Sequence, residues 1–184
     1  MTPTEILKHE HKIILMVLDA AKREVQSIQQ RGKIHVAELE KMMEFFRNFA
    51  DRCHHAKEET LLFVKMTEKG MPSESGPIAV MLKEHTEGRQ RIKAIDAAIP
   101  KAQEGDPSTL QTISENLDEY IILLRNHIDK EDNVLYPMAD KVFTEKDQQS
   151  LSEAFDKVEA EEMGEGVHEK YHKLAHDLSD FKYE

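Results

Sequence analysis

Two His-x-x-x-Glu pairs carry the side chains of this sequence that are best suited to metal chemistry. His54 and Glu58 form the first pair, and His127 and Glu131 form the second. Residues four apart lie side by side on one face of a helix, so each pair presents an imidazole nitrogen next to a carboxylate oxygen. Both atom types are ligands of divalent transition metals. The pairs therefore indicate a metal site, provided that they point to a common interior.

The neighbours of the first pair predict the direction in which it points. Residues three, four and seven positions apart share one helix face. The neighbours of His54 on that face are apolar: Leu39, Met43, Phe46, Ala50, Leu61 and Leu62. The neighbours of His55 are polar: Glu44, Asn48, Asp51 and Glu59. We therefore expect His54 and Glu58 to point inward, and His55 and Glu59 to point to solvent.

The same test places three more histidines on apolar faces. His127 and Glu131 share a face with Tyr120, Leu123, Leu124, Val134 and Leu135. His11 and His85 also have apolar neighbours, and each follows a glutamate, in Glu10-His11 and Glu84-His85. The chain thus contains an internal repeat, in which each half carries one His and then one His-x-x-x-Glu pair. Two such halves can pack about a pseudo-twofold axis that brings both sets of ligands together.

Six inward-pointing polar groups need a compensating interaction. A buried carboxylate is costly unless it is paired or bound to a metal ion. A pair of His–Glu ion pairs inside a purely structural bundle is one solution, and a metal centre is the other. Four imidazoles and two carboxylates are too many ligands for one tetrahedral zinc ion and suit two ions of higher coordination number. Ligation by nitrogen and oxygen without thiolate favours iron or manganese, although zinc can occupy such a site.

The elements that carry these residues are predicted to be helices. Thr2-Pro3-Thr4-Glu5 combines an N-cap, a proline in the first turn and a capping-box glutamate. Long amphipathic segments with short connections predict an all-α, up-down-up-down four-helix bundle over residues 1–142. A C-terminal helical extension, residues 143–184, is expected to pack on it. The four bundle helices are expected to end near Gln30, Lys69, Ile99 and Lys141, the last with a bend at Pro137.

Composition excludes several classes of partner. The net charge of −11 disfavours nucleic acid and anionic membranes, both of which bind basic surfaces. No apolar run approaches the roughly 20 residues of a membrane span. The N-terminus lacks the order of a secretory signal, and a single cysteine, Cys53, suits a reducing compartment. We therefore expect a cytoplasmic protein.

The residues quoted above resemble the hemerythrin-like (HHE cation-binding) domain over about residues 4–142. The resemblance is carried by Glu10-His11, by Cys53-His54-His55 through Glu59, by Glu84-His85 and by His127 through Glu131, with the Leu62-Phe63 and Leu135-Tyr136-Pro137 tails. It implies a centre of two iron ions joined by an oxo or hydroxo bridge. The terminal ligands would be His11, His54, His85 and His127, and the bridging ligands would be Glu58 and Glu131.

The sequence departs from oxygen-carrying members of that family. They have a second histidine four residues after the helix-three ligand, where this chain has Arg89, and an aspartate five residues after the last histidine, where this chain has the Glu131 spacing. The resemblance therefore implies binding or reduction of a small diatomic or peroxide ligand (O2, NO or H2O2) in stress response or iron homeostasis, with a redox partner. A non-enzymatic sensor, carrier or iron store is the alternative.

Other residues have two interpretations each. Tyr120 lies seven positions before His127 and is either a hydrogen-bond donor to a bound oxygen species or a core aromatic. Cys53 is expected to be a buried structural thiol rather than a redox group. His168, His172 and His176 line one face of the tail, which is expected to be a solvated or docking face rather than a second metal site. The tail is expected to pack across one end of the bundle and limit access to the iron ions.

Overall fold

A computed structural model describes residues 1–164 and 166–183, apart from the side chains of residues 162 and 163. Helix α1 (Pro3–Arg31) begins at Thr2, whose side chain accepts a hydrogen bond from the backbone of Glu5 while Glu5 bonds back to the backbone of Thr2. It ends at Gly32, which has a φ of 63°. Glycine is common at helix C-termini with a left-handed backbone conformation, because a residue with a Cβ atom is strained in that conformation.

The second bundle helix begins as α2 (Val36–Phe45) and ends as α3 (Phe63–Glu68), with a largely π-helical stretch between them. Its turns widen over Phe46–His55 and again over Glu58–Leu62. A π-helical turn contains more residues than an α-helical turn, so residues beyond it point in directions that an α-helical count does not give. Both members of the first His-x-x-x-Glu pair lie in this widened stretch.

The third bundle helix, α4 (Gly76–Gln103), continues past the end predicted at Ile99. Pro100 removes a backbone donor, which disfavours a helix interior. Ile99 and Ala102 are nevertheless buried in the core, and their packing holds the additional turn in helical conformation.

The fourth bundle helix comprises α5 (Pro107–Lys130), a π-helical turn over Glu131–Leu135 and α6 (Tyr136–Val142). Pro137 lies in the first turn of α6, where its missing N–H group is tolerated next to the widened turn. The second His-x-x-x-Glu pair therefore ends in a π-helical turn, as the first does. Widened turns of this kind occur often at functional sites.

The four bundle helices pack side by side, α1 against α2 and α5, and α4 against the same two neighbours. The described residues contain no β-strand. The predicted all-α four-helix bundle is confirmed. Its apolar core is divided into two clusters, one centred on Val17, Phe46 and Leu117, and the other on Leu7, Phe63 and Leu135. The predicted ligands lie between the two clusters.

The C-terminal helices do not cross an end of the bundle, so that expectation was wrong. Helix α7 (Glu145–Val158) packs Leu151 and Phe155 into the smaller apolar cluster, and α8 (Val167–Asp180) packs Tyr171, Ala175 and Leu178 into the larger one. Both contact α1 and the second bundle helix, so they lie along the side of the bundle. An amphipathic pattern predicts which face of a helix is buried, but it does not predict which surface of the bundle that face packs against. No helix in the described ranges is long and apolar enough to cross a membrane.

Candidate metal centre

The structure brings the six predicted ligands together in the middle of the bundle. Each of the six side chains is at most 2% exposed: His11, His54, Glu58, His85, His127 and Glu131. They come from all four bundle helices, because each helix carries one inward histidine. Their assignment as ligands remains a prediction, and their geometry is a direct test of whether metal ions fit.

The four histidines form two close pairs. Nε2 of His11 lies 2.9 Å from Nε2 of His54, and Nε2 of His85 lies 3.0 Å from Nε2 of His127. The rings of the two pairs are tilted by 54° and 57°. Two nitrogens bound to one ion at about 2.1 Å and at right angles lie about 3.0 Å apart. Each pair is therefore spaced as two ligands of one ion.

The two glutamates lie between the histidine pairs, and each reaches both. Glu58 Oε2 is 3.3 Å from Nε2 of His85 and 3.8 Å from Nε2 of His54. Glu131 reaches His127 at 3.0 Å with Oε1 and His11 at 3.3 Å with Oε2. This is the arrangement expected of two carboxylates that bridge two ions.

Buried oxygens without hydrogen bonds provide a second test. Among the described residues, Oε2 of Glu58 and both carboxylate oxygens of Glu131 have no hydrogen-bond partner. Leaving buried charged acceptors unsatisfied is costly. Two metal ions held by the four imidazoles and the two glutamates would satisfy these atoms. The residues present therefore fit a dinuclear metal centre.

The outer nitrogen of each histidine faces a carboxylate. Nδ1 of His11 lies 2.8 Å from Asp132, Nδ1 of His54 2.8 Å from Glu10, Nδ1 of His85 2.7 Å from Glu59, and Nδ1 of His127 2.9 Å from Glu84. An Nδ1–H bond to a carboxylate orients the ring and leaves Nε2 as the ligand atom. The sequence pattern predicted that Glu59 points to solvent. In the structure its carboxylate instead contacts Nδ1 of His85.

These contacts between Nδ1 atoms and carboxylates follow the internal repeat of the sequence. The glutamates of Glu10-His11 and Glu84-His85 bind the histidine of the pair in their own half, and the acidic residues after Glu58 and Glu131 bind the first histidine of the other half. The repeated order Lys-Glu-acid, at residues 57–59 and 130–132, is the signal that would have identified these partners. Lys57 and Lys130 in turn bind Glu10 and Glu84.

The surrounding carboxylates raise the pKa values of two of the histidines. Burial lowers the pKa of His11, but Asp132 and Glu131 outweigh burial and raise it to about 9. Burial likewise lowers the pKa of His127, but Glu131 and Glu84 raise it to about 10. Imidazolium ions thus take the place of metal charge in this arrangement, and metal binding has to displace their protons.

Tyr136 also reaches the centre, a contact that the sequence did not predict. Its hydroxyl donates a 2.6 Å hydrogen bond to Oε1 of Glu58 and lies 3.4 Å from Nε2 of His11. The repeat places Phe63 at the equivalent position, where its ring stacks 6.1 Å from the ring of His85. The sequence signal was the doublet Leu135-Tyr136 beside Leu62-Phe63. The position beside His11 therefore carries a phenol, whereas the equivalent position beside His85 carries a phenyl ring.

The prediction that His55 points to solvent was wrong. Its side chain is 6% exposed, and its ring stacks on that of His85 with 3.9 Å between ring centres and an interplanar angle of 17°. His55 lies at the end of the π-helical stretch Phe46–His55, which makes an α-helical count unreliable there. Arg89 binds Asp51 and Glu59, the carboxylates that face His55 and His85.

A cavity of about 380 Å³ leads to the His85–His127 side of the centre. Its wall includes Tyr120, which the sequence analysis considered as a hydrogen-bond donor to a bound oxygen species. The Tyr120 ring packs edge to face on Phe46 at 4.9 Å, and burial raises its pKa far above the usual range. That packing is typical of a core aromatic, and its role toward a ligand remains a prediction. The tail helices lie on another side of the bundle, against α1, and leave this cavity uncovered.

Cys53 and the histidines of α8 lie outside the cluster of six predicted ligands. Cys53 is buried, and burial raises the pKa of its thiol to about 12, which disfavours the thiolate form. His168 packs on Phe49, and His172 lies near His9. His168 also lies close to Glu10 and Glu159, but Lys57 already binds both of those carboxylates.

Comparison with known proteins agrees with this geometry. The family model for the hemerythrin HHE cation-binding domain matches residues 2–139. An uncharacterized protein of Mycobacterium tuberculosis is 24% identical over 165 residues, which are 90% of this chain and 64% of that protein. An iron–sulfur cluster repair protein, YtfE, of Yersinia pseudotuberculosis is 36% identical over 89 residues, 47% of this chain and 40% of that protein.

The matched segment thus spans less than two thirds of the length of these relatives. No solved structure matches the chain significantly. The family match covers three bundle helices and the fourth as far as residue 139, and with them the six clustered residues. The chain belongs to the hemerythrin HHE cation-binding family.

Proposed function

We propose that this chain is a non-haem diiron protein that binds or reduces a small ligand, O2, NO or H2O2. The observation that carries the proposal is the pair of Nε2–Nε2 contacts, at 2.9 and 3.0 Å, with two glutamates that each reach both pairs. The donor set of nitrogen and oxygen without thiolate favours iron or manganese, and the resemblance to hemerythrin-like domains selects iron for the proposal. Redox chemistry at buried ions is then the expected activity.

When bound, two ferrous ions would supply the electrons for reducing such a ligand, and a redox partner would restore them. The chain's own residues determine where this takes place. The outer carboxylates hold each imidazole with Nε2 directed inward. Tyr136 holds one oxygen of Glu58 and leaves the other directed at the histidines. The apolar clusters above and below exclude bulk water from the centre.

Metal analysis after anaerobic loading with ferrous iron tests the proposal. We expect two iron ions per chain, and we expect His54→Ala and Glu131→Ala to reduce iron content and thermal stability together. His176→Ala, a change at an exposed histidine of α8, is the matched control and should retain two. If both site variants keep full iron, or if the wild-type chain binds none, the proposed centre is wrong.

A second candidate function is iron storage or delivery without turnover. It is favoured by the partial match to iron–sulfur cluster repair proteins of Yersinia. A measurement of catalytic turnover distinguishes ligand reduction from iron storage or delivery. Sustained consumption of peroxide or NO by the iron-loaded chain with an external reductant supports reduction. A single stoichiometric reaction, together with iron transfer to a chelating acceptor, supports storage or delivery.

A further inference from the structure

Lys57 carries an ammonium group that is buried between the bundle and the C-terminal helices. Its side chain is 0% exposed, and Nζ donates to Oε1 of Glu10 at 2.5 Å and to Oε2 of Glu159 at 3.3 Å. The Phe155 ring lies 6.0 Å from the same Nζ atom, within the range of a cation–π contact. Glu10 belongs to α1, whereas Phe155 ends α7 and Glu159 begins the π-helical turn after it. The C-terminal extension therefore supplies an acidic and an aromatic group to this cation.

Two hydrogen bonds connect Lys57 to the metal centre. Glu10 accepts from Lys57 with Oε1 and from Nδ1 of His54 with Oε2, the latter at 2.8 Å. Nε2 of His54 is the predicted ligand atom on the other side of the ring. A carboxylate that faces the outer nitrogen of a ligand imidazole makes that ligand more basic and fixes its orientation. Any group that changes the charge of Glu10 therefore changes the binding of a metal ion by His54.

The other half of the internal repeat has no second carboxylate at this place. There Lys130 binds Glu84, which accepts a hydrogen bond from Nδ1 of His127. Lys130 is 40% exposed, and Glu84 is its one carboxylate partner in the part of the chain that the structure describes. One outer lysine is thus shared by two carboxylates and shielded from water, whereas the other binds one carboxylate and is partly hydrated.

The second carboxylate changes the charge that surrounds the ligand His54. Glu10 and Lys57 alone would carry equal and opposite charges, so the ammonium group would cancel much of the effect of Glu10 on the imidazole. With Glu159 the three side chains carry one more negative than positive charge. Solvent screens this charge less than an exposed one, because Lys57 and Glu10 are at most 2% exposed. The arrangement therefore favours a cation bound by His54.

We propose that Glu159 is a positioning residue of the metal centre: by sharing Lys57 with Glu10, it increases the affinity of the His11–His54 pair for its metal ion. The C-terminal extension is then a functional part of the centre. The inference rests on the proposed diiron function and deepens it, because it gives the extension a share in holding one of the two ions. The other ion position has no such contribution.

The affinity for metal ions in paired variants tests the inference. Glu159→Gln removes the charge and retains the size of the side chain. Outer partners in direct contact with a ligand typically contribute 10–100-fold to metal affinity, so we expect a loss of about three- to tenfold from this more distant group. Competition titrations with Co2+ and, anaerobically, with Fe2+ measure it. Glu161→Gln is the matched control, because this exposed glutamate contacts only exposed Lys157, and it should remain within about twofold of wild type.

The internal repeat provides backgrounds that separate an effect through Glu10 from a general structural effect. Glu159→Gln should cause almost no further loss of affinity in a Glu10→Gln background, and its full loss in a Glu84→Gln background. Glu159→Asp keeps the charge and should retain more affinity than Glu159→Gln. Equal losses in the two backgrounds, or equal losses for the Asp and Gln variants, overturn the inference.

Failure of this inference is distinguishable from failure of the proposed function. If the wild-type chain binds no metal ion, the diiron proposal fails and the role of Glu159 fails with it. If the wild-type chain binds two ions and Glu159→Gln binds both with wild-type affinity, the role of Glu159 alone is overturned and the diiron centre stands.

Discussion

Glu10 accepts a hydrogen bond from Nδ1 of His54 at 2.8 Å, although the two residues belong to different helices. Glu84 and His127 repeat the contact at 2.9 Å in the other half of the bundle. The residue next to one inward histidine therefore orients another. This cross-linking explains why the chain repeats the doublet Glu-His together with the His-x-x-x-Glu pair: neither part of the repeat positions its ligand alone.

Glu10→Gln should weaken metal binding, and it should also lower stability because buried Lys57 loses the charge of one of its two carboxylate partners. The amide cannot take up the charge that the carboxylate shares with the His54 ring, so the ligand becomes less basic and less well oriented. Loss of such an outer partner typically costs 10–100-fold in metal affinity, and we expect a decrease of about that size. Competition with a metal-sensitive chromophore measures it. Glu84→Gln should give a similar decrease, because Glu84 contacts His127 as Glu10 contacts His54. Unchanged metal affinity in both variants would contradict the role of these residues.

Lys57 and Lys130 occupy equivalent positions in the repeat but differ in burial, which makes them a matched pair. Lys57 is 0% exposed and binds Glu10 and Glu159, whereas Lys130 is 40% exposed and binds Glu84. Lys57→Met should leave Glu10 buried without its cation and cost about 3–5 kcal/mol in the free energy of unfolding. Lys130→Met should cost less than about 1 kcal/mol. Urea denaturation of the metal-free proteins measures both, and equal costs would show that burial does not decide the difference.

The metal-free protein should lose stability as pH rises. The folded-state pKa values of His11 and His127 are raised to about 9 and about 10, above the ordinary 6.5, because carboxylates surround them. A raised histidine pKa stabilises the folded state fully below about pH 6.5, and this contribution disappears as pH rises toward 10. Denaturation midpoints of the metal-free protein should fall over this range. The metal-loaded protein, whose imidazoles carry no proton on Nε2, should show no such fall, and parallel curves for the two forms would contradict the prediction.

Tyr136→Phe tests the asymmetry of the centre, because it converts this position to the residue that the other half has at Phe63. The change removes the donor to Oε1 of Glu58. We expect a loss of about 1–2 kcal/mol in the unfolding free energy of the metal-free protein, since a buried carboxylate loses its hydrogen bond. Phe63→Leu is a packing control on the opposite side. If Tyr136→Phe is neutral in stability and also in metal affinity, the phenol has no role in holding Glu58.

Helical periodicity was sufficient to predict the bundle and the inward direction of the six clustered side chains. Leu39, Met43 and Phe46 place His54 on an apolar face without any tertiary information. His55 was placed wrongly because the π-helical stretch before it changes the residue count per turn. The contacts of Tyr136 and the outer carboxylates join different helices, so a one-helix count does not reveal them. The position of the C-terminal helices was predicted wrongly for a related reason. Phe155 and Leu178 show which helix faces are buried, but only the assembled bundle shows that these faces pack along the side of α1.

Anomalous diffraction from crystals of the iron-loaded protein, recorded at the iron absorption edge, tests the central account most directly. We predict two peaks about 3.5 Å apart, one between His11 and His54 and the other between His85 and His127, with Glu58 and Glu131 spanning both. A single peak, peaks elsewhere such as among the histidines of α8, or no peak between the two histidine pairs would contradict it.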